Sequence, residues 1–389
     1  RRAAGARPAR VDSLLRRKQA SVTRSFDKLG WGTVELLEGK GIFPVIETLE
    51  RSPLIEVAEP VTLEKAHVNT ATNDPYDPYY DGTSPASFAH QWALKNTGQS
   101  PPGGTPDADI DAPEAWDVET GDSDVVIAVL DSGIPMQDDG DGNWDESDLS
   151  HPDLDGQSKI ILGPDYAPFG SGDGQGVRDN YGHGTHVGGI AAAETNNDTG
   201  IARVGWNCKL MVIQVFDNGG TGSSESFYNG VIHAVDYAES NNVELVINYS
   251  GGGPDKQEKE VAVDYARDHG VPVVVSAGNT SRGDVEYPAA YASEYDNVIA
   301  VSSTDPDDNL SSFSATGPEL VLAAPGGEPK NVSEENEIYS AVPTYKVPLS
   351  RQSGESYTYL SGTSMAAPHV AGTVGLMLSA EPSLSASTI

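Results

Sequence analysis

The chain has 389 residues, 37% of them hydrophobic, and 58 acidic against 24 basic side chains give it a formal net charge of −34. That length buries a sizeable core, in one large domain or two smaller ones. So negative a surface argues against nucleic-acid binding, which gains its affinity by neutralising phosphates. No stretch reaches the roughly 18 apolar residues of a membrane helix, so no membrane span is expected. The first residue is Arg1 and no apolar leader follows it, so any secretion signal is expected to have been removed or never included in this sequence.

The charge is uneven. Residues 1–70 carry 12 basic and 9 acidic side chains, a net of +3, and the remainder carries −37. A near-neutral head before an acidic body suggests two units whose opposite signs favour docking. The acidity of the body suits a medium rich in salt or calcium. The single cysteine, Cys208, lies in an apolar stretch and cannot form an intrachain disulfide. A buried, inert thiol is expected there, so packing or metals must supply stability.

In chain order, Val11, Leu14 and Leu15 at helical spacing predict a helix over 11–20. A strand over 33–37, a helix over 43–49 and a strand over 54–61 follow, an α+β module of about 60 residues. Residues 66–87, rich in Asn, Asp, Pro and Tyr, read as an extended linker. From about 108 the pattern changes. Continuous apolar runs at 125–130, 210–215, 245–247, 271–275 and 298–301 alternate with helical patterns at 185–193, 224–240 and 257–269. Doubly buried strands between helices predict an α/β fold, a parallel sheet with helices on both faces. The Asp- and Gly-dense segment 135–150 reads as a surface insertion. The expected organisation is a head at 1–70, a linker and arm at 71–107 and a main domain at 108–389.

Three motifs fall at strand ends or strand-to-helix turns, where such sheets place active sites. They are Asp131-Ser132-Gly133, Gly182-His183-Gly184-Thr185-His186, and Gly362-Thr363-Ser364-Met365-Ala366-Ala367-Pro368. A hydroxyl is a weak nucleophile until a base takes its proton, and the base needs an orienting partner. A carboxylate, an imidazole and a serine are those three parts. Asp131 also reads as a turn residue after a strand, and Ser364 as a helix N-cap. His186, three residues beyond His183, reads as a packed core histidine, since His-x-x-His without an acidic neighbour does not make a zinc site.

These motifs, in the order Asp, His, Ser, resemble the subtilisin-like serine proteases, the subtilases. The resemblance covers about 108–380 and implies a secreted endopeptidase acting on protein or peptide substrates through an acyl-enzyme. It implies that Asp131 orients His183, that His183 is general base and acid, and that Ser364 attacks the carbonyl. Asn279, in Ser276-Ala277-Gly278-Asn279, matches the residue whose amide donates to the oxyanion; alone it reads as a turn residue after Gly. Ser250, Gly251 and Gly252 resemble the segment flanking the P1 pocket, and Gly220, Thr221 and Gly222 the opposite edge. A peptide would lie between them as an added strand. Val285-Glu286-Tyr287-Pro288 resembles the strand at the pocket floor. Glu286 there would attract basic P1 residues, or, if the preceding loop shifts the register, it faces water.

The head resembles the family's propeptide, through Gly32-Thr33-Val34-Glu35 and Ile55-Glu56-Val57-Ala58-Glu59-Pro60. It would assist folding and inhibit until cut off near 66–73. Calcium is implied as a structural cofactor: Asp74, Asp153 and Asn197 would give side-chain oxygens, and Thr199 and Ile201 carbonyls, an oxygen-only set. The run 139–145 alternates oxygen ligands like an EF-hand loop but has Trp144 at the sixth position, where that loop needs Gly. The resemblance also implies further chain after Ile389. The alternative function is a catalytically inactive, calcium-dependent binding module on the same fold.

Overall fold

The computed structural model describes residues 90–98, 103–155, 158–168, 175–192, 194–195, 200–329, 334–352 and 354–389, and before them Leu15, 20–26, 31–36, Ile46, Leu49, 51–55, Ala58 and 63–66. The chain divides into two compact units, Arg1–Thr62 and Leu63–Ile389.

In the first unit, β1 (Ala20–Phe26) and β2 (Trp31–Leu36) pair antiparallel, with a bulge between Val22 and Arg24. β1 begins where the predicted 11–20 helix was expected to end, and the sequence pattern did not announce it. Of that helix only Leu15 is described, helical and buried. Ile46 and Leu49 are helical within the expected 43–49. Leu54 lies in a turn and Ile55 makes only a bridge, so the 54–61 strand does not start where it was expected.

The second unit opens with a short strand, β3 (Leu63–Ala66). Helix α1 (Ala112–Trp116) precedes β4 (Val125–Asp131), and β5 (Ile160–Asp165) leads to α2 (His183–Ala192). Then come β6 (Lys209–Gln214), β7 (Thr221–Ser223), α3 (Ser224–Asn241), β8 (Glu244–Tyr249) and β9 (Gly251–Gly252). Helix α4 (Gln257–Asp268), β10 (Val273–Ser276), β11 (Val298–Thr304) and β12 (Leu322–Pro325) follow. A hairpin, β13 (Ile338–Ala341) with β14 (Tyr357–Leu360), precedes α5 (Thr363–Ala380).

Seven strands form one sheet in the order β12-β11-β10-β8-β4-β6-β5. Every pairing in it is parallel. Central β4 is buried along its whole length, as continuous apolar runs require when helices cover both faces. Helices α2 and α5 pack together and on the sheet, and α3 and α4 form a second packed pair. The two edge strands, β5 and β12, were not legible beforehand. β5 contains Gly163-Pro164 and β12 ends in Pro325, residues an edge tolerates and a central strand does not.

A separate three-stranded sheet, β7-β3-β9, stands beside the large one. Its middle strand is β3, antiparallel to both neighbours. Trp92 and Leu94 of the arm are buried, and the Trp92 indole donates to Glu337 O at 3.1 Å. Cys208 is buried as expected, and burial pushes its thiol pKa up.

Candidate active site

Asp131 ends β4, and the sheet delivers its carboxylate to the C-terminal edge. Its Oδ1 accepts from Ser132 N at 2.7 Å and lies 2.7 Å from Nδ1 of His183. His183 is the first residue of α2. The two elements meet closely because residue 184 is glycine: a Cβ there would lie 2.6 Å from Gly133 O and 2.7 Å from Gly133 N. Burial raises the pKa of Asp131, an effect opposed by the imidazole and by the Ser132 N–H.

Asp179 was not singled out in the sequence. It is buried and accepts from Ser132 Oγ at 2.9 Å, from Gly182 N at 2.7 Å and from Thr185 N at 2.9 Å. It thus caps the start of α2 and ties it to the 131–133 turn. An Asp just before a Gly-rich helix start is the signal that could have revealed it.

Ser364 lies in the first turn of α5, where the N-cap is Gly362. It is therefore not the N-cap that its residue type allowed. Its Oγ donates to Ser250 O at 3.1 Å, and Ser250 Oγ donates to Ser364 O at 2.9 Å. The serine that follows β8 thus clasps the serine that starts α5. Nε2 of His183 is buried and has no hydrogen-bond partner among the described residues.

Asn279 follows Gly278, whose φ is 112°, and itself keeps a negative φ, unlike the left-handed turn residue it could have been. Its Oδ1 accepts from Thr363 N at 3.1 Å and Thr363 Oγ1 at 3.0 Å. That fixes the amide, and its Nδ2 is buried without a partner among the described residues. A fixed, unsatisfied donor suits a charge that exists only briefly.

Gly251 and Gly252 form β9, Thr221 and Gly222 begin β7, and Gly220 precedes it with φ 69°. These are the two walls expected for an added strand, and β3 occupies the space between them. Beyond β9, Gly253 and Tyr287 exchange N–H···O bonds of 3.0 Å, and Glu286 N donates to Ala277 O at 3.0 Å. Glu286 is half-buried, and its Cγ lies 3.1 Å from where a Cβ on Gly278 would stand. It therefore lies against the glycine next to Asn279.

His186 is a core histidine, as expected: it is buried, its Nε2 lies 3.2 Å from Thr358 O, and burial pulls its pKa down to about 3. Of the expected calcium ligands, Asp74, Asn197 and Thr199 lie outside the described residues. Asp153 and Ile201 are brought together, with Ile201 N donating to Asp153 Oδ2 at 2.9 Å, and Tyr357 OH donating to the same oxygen at 2.8 Å. A buried carboxylate beside the Ile201 backbone fits an oxygen-donor site in type. It also has a competing counter-charge: the guanidinium of Arg203 is buried, without hydrogen bonds among the described residues, and Asp153 is its strongest charged neighbour. In the 135–150 insertion the alternating carboxylates Asp139, Asp141 and Asp145 each accept the backbone N–H two residues on. Asp141 bonds Asn143 N, Asp145 caps a short 3₁₀ turn, and the carboxylates that converge are Asp138, Asp139 and Asp148. The Asp148 oxygens are already taken by the Asp139 and Asp145 N–H groups.

Among the described residues no helix is long and apolar enough to cross a membrane. Residues 122–389 match the family model described as the subtilase family. Thermitase of Thermoactinomyces vulgaris is 39% identical over 69% of this chain and 80% of its own length. The halolysin-like extracellular serine protease Nep of Natrialba magadii is 40% identical over 70% of this chain and 43% of its own. A solved protease of Pseudoalteromonas arctica aligns with a TM-score of 0.63 and 29% identity, over 78% of this chain and 89% of that one. Neither the relatives nor the site support the alternative of an inactive binding module. A parallel α/β sheet, a family match over most of the chain and relatives that are themselves serine proteases lead to one conclusion: this chain belongs to the subtilase family and is a serine-type endopeptidase.

Proposed function

We propose that the chain is a secreted endopeptidase whose nucleophile is Ser364, whose base is His183 and whose orienting carboxylate is Asp131. The observation that carries this is the 2.7 Å contact of Asp131 Oδ1 with His183 Nδ1, which leaves Nε2 free of other partners among the described residues. A carboxylate on Nδ1 holds the proton there, so Nε2 is the basic nitrogen. Secretion draws support from the extracellular relative Nep.

The substrate lies as a strand between Gly251–Gly252 and Thr221–Ser223, its backbone held by both edges. Ser364 Oγ leaves Ser250 O, gives its proton to His183 Nε2 and bonds to the substrate carbonyl carbon. The oxyanion so formed takes the Asn279 Nδ2–H and the Ser364 N–H. The latter is one of the first-turn donors of α5 with no intrahelical partner. His183 passes its proton to the leaving amine nitrogen as the C–N bond breaks. Water then enters, gives a proton to Nε2 and attacks the ester. The acid departs and Ser364 regains its hydrogen.

Glu286, against Gly278, gives the P1 pocket a carboxylate and a preference for Lys or Arg. The head acts as an inhibitory propeptide, and β3 lies where a product strand would lie. A calcium ion held by Asp153 with Asp74, Asn197 and the carbonyls of Thr199 and Ile201 would be structural, binding the arm to the loop after α2. It supplies no chemistry at Ser364.

The test is labelling with a fluorophosphonate after removal of the head. An adduct on Ser364, absent in His183→Ala, is expected; an unlabelled Ser364 in folded protein would overturn the assignment.

A further inference from the structure

We propose that Lys259, in the first turn of α4, sets the width of the P1 pocket by stapling its two walls together from within the protein. The inference rests on the reading above, in which the segments after Ser250 and around Glu286 border that pocket. It goes further by naming a residue outside the cleft that governs which side chains the pocket accepts.

Lys259 is 0% exposed, a rare state for a lysine unless partners meet its charge. Its Nζ donates to Pro254 O at 3.0 Å and to Tyr287 O at 2.8 Å. The two carbonyls belong to different segments. Pro254 closes the run Ser250-Gly251-Gly252-Gly253, which leads away from Ser364, and Tyr287 follows Glu286. One residue closer to Ser250, the same segments are joined by the paired bonds of Gly253 and Tyr287. The ammonium extends that seam with two bonds from an ionised donor, each roughly twice as strong as a neutral one.

The pocket needs such a tie. Glycines 251–253 give the first wall no side chains with which to pack, and glycine is the least restrained backbone. The second wall is anchored independently: Glu286 N donates to Ala277 O at 3.0 Å, two residues before Asn279. Tyr287 is therefore the fixed side, and the ammonium holds Pro254 to it. None of the contacts described for Asp131, His183, Asn279 and Ser364 involves Lys259. Loss of the staple should widen the pocket and leave the reacting groups in place. Lys259 is thus a positioning residue, acting on the substrate through the two walls. A change of width matters most to a P1 side chain that fills the pocket and least to alanine.

The experiment compares wild type with Lys259→Met, which keeps the long apolar stem and removes the donors. Both are produced as the full chain and assayed, once the head is released, on peptides that differ only in Ala, Leu, Phe or Lys at P1. For Leu, Phe and Lys, KM should rise about tenfold, the scale on which one pocket contact discriminates. The kcat values, KM for Ala and the rate of fluorophosphonate labelling at Ser364 should hold. An unchanged P1 profile in folded Lys259→Met overturns the proposal. So does an equal loss for every P1 residue, which a purely structural role would give. If Lys259→Met does not fold, Lys259→Gln, with a donor on a shorter stem, is read in the same way. Failure of both to fold would assign the ammonium to the fold as a whole and also overturn the proposal. The pocket reading fails separately, when Glu286→Gln leaves the P1 profile unchanged as well. Where Glu286→Gln shifts the profile and Lys259→Met does not, only the staple falls.

Discussion

His183 Nε2 and Ser364 Oγ share no hydrogen bond in this structure: the hydroxyl donates to Ser250 O at 3.1 Å, and the nitrogen has no partner among the described residues. The imidazole is nevertheless oriented, since Asp131 holds Nδ1 at 2.7 Å. A strand already lies between the two cleft edges, so the arrangement is that of a filled cleft. Catalytic hydrogen bonds commonly tighten only when the reacting group is in place.

Ser364→Ala should lower kcat by at least about 10⁴-fold and leave the fold intact, because the hydroxyl contributes chemistry and one hydrogen bond. It should also accumulate as uncut precursor. Casein digestion and gel mobility check both. Wild-type turnover, or normal processing of the variant expressed alone, would refute the nucleophile.

Asn279→Leu should lower kcat by roughly 10²–10³-fold with little change in KM, since the donor acts on charge present only in the transition state. That magnitude is the one known for the oxyanion amide of subtilisin, a member of this family. The Asn279 Oδ1 bonds to Thr363 orient the amide, so Thr363→Val should act in the same direction but less. A raised KM with unchanged kcat for Asn279→Leu would show a binding role instead.

How much of this was legible in the sequence depended on burial. Runs such as 125–130 and 298–301 are buried on both faces and announce themselves as strands. Edge strands β5 and β12 carry Gly and Pro and do not. The chemical motifs were readable because Asp131, His183 and Ser364 each sit at an element end marked by glycine. Asp179 carried one weak signal, its place just before the Gly-rich start of α2, since Arg178-Asp179-Asn180 alone does not distinguish a buried cap from an exposed turn. The register of β3 was beyond reach, since a four-residue strand between glycine walls is fixed by backbone and not by side-chain pattern.

Glu286→Gln should lower kcat/KM for peptides with Lys or Arg at P1 roughly tenfold relative to Leu or Phe, the ratio that ~1.4 kcal/mol implies. The side chain is half-buried against Gly278, so its charge is less screened than on an open surface. A P1 series on both proteins measures it. An unchanged profile would remove Glu286 from the pocket.

Chelation should lower the melting temperature and added calcium restore it. A ligand that binds only the folded state stabilises it by about 2.7 kcal/mol at a hundred times its Kd. Added NaCl should also raise the melting temperature, by screening a body of charge −37. If EDTA changes nothing, Arg203 and the donors on Asp153, Ile201 N and Tyr357 OH among them, suffice for its buried carboxylate, and the ion is not needed.

Acid should destabilise the fold through two buried histidines. Burial pulls the pKa of His186 down to about 3 and that of His369 to about 4, while an unfolded histidine titrates near ~6.5. Below that pH the unfolded chain takes up protons that the fold refuses, so stability is full above ~6.5 and is lost as pH falls toward 4 and 3. Each group contributes a slope of at most about 1.4 kcal/mol per pH unit. Glu337 acts in the opposite sense. Burial pushes its pKa up to about 7 against the pull of Arg351, so between about 4.5 and 7 it favours the fold as pH falls. Among these three groups the two histidines prevail down to about pH 4.5, and more steeply below, where Glu337 no longer offsets them; His151 and His233, lowered by burial, add to the loss, and Asp131 and Glu355, raised by burial, oppose it. Urea midpoints of Ser364→Ala, which cannot digest itself, should therefore fall from pH 6.5 to 4.5. His369→Gln should flatten that slope and Glu337→Gln should steepen it. Midpoints that stay level across this range in all three proteins would mean that the histidines are charged, or exposed, in the folded enzyme.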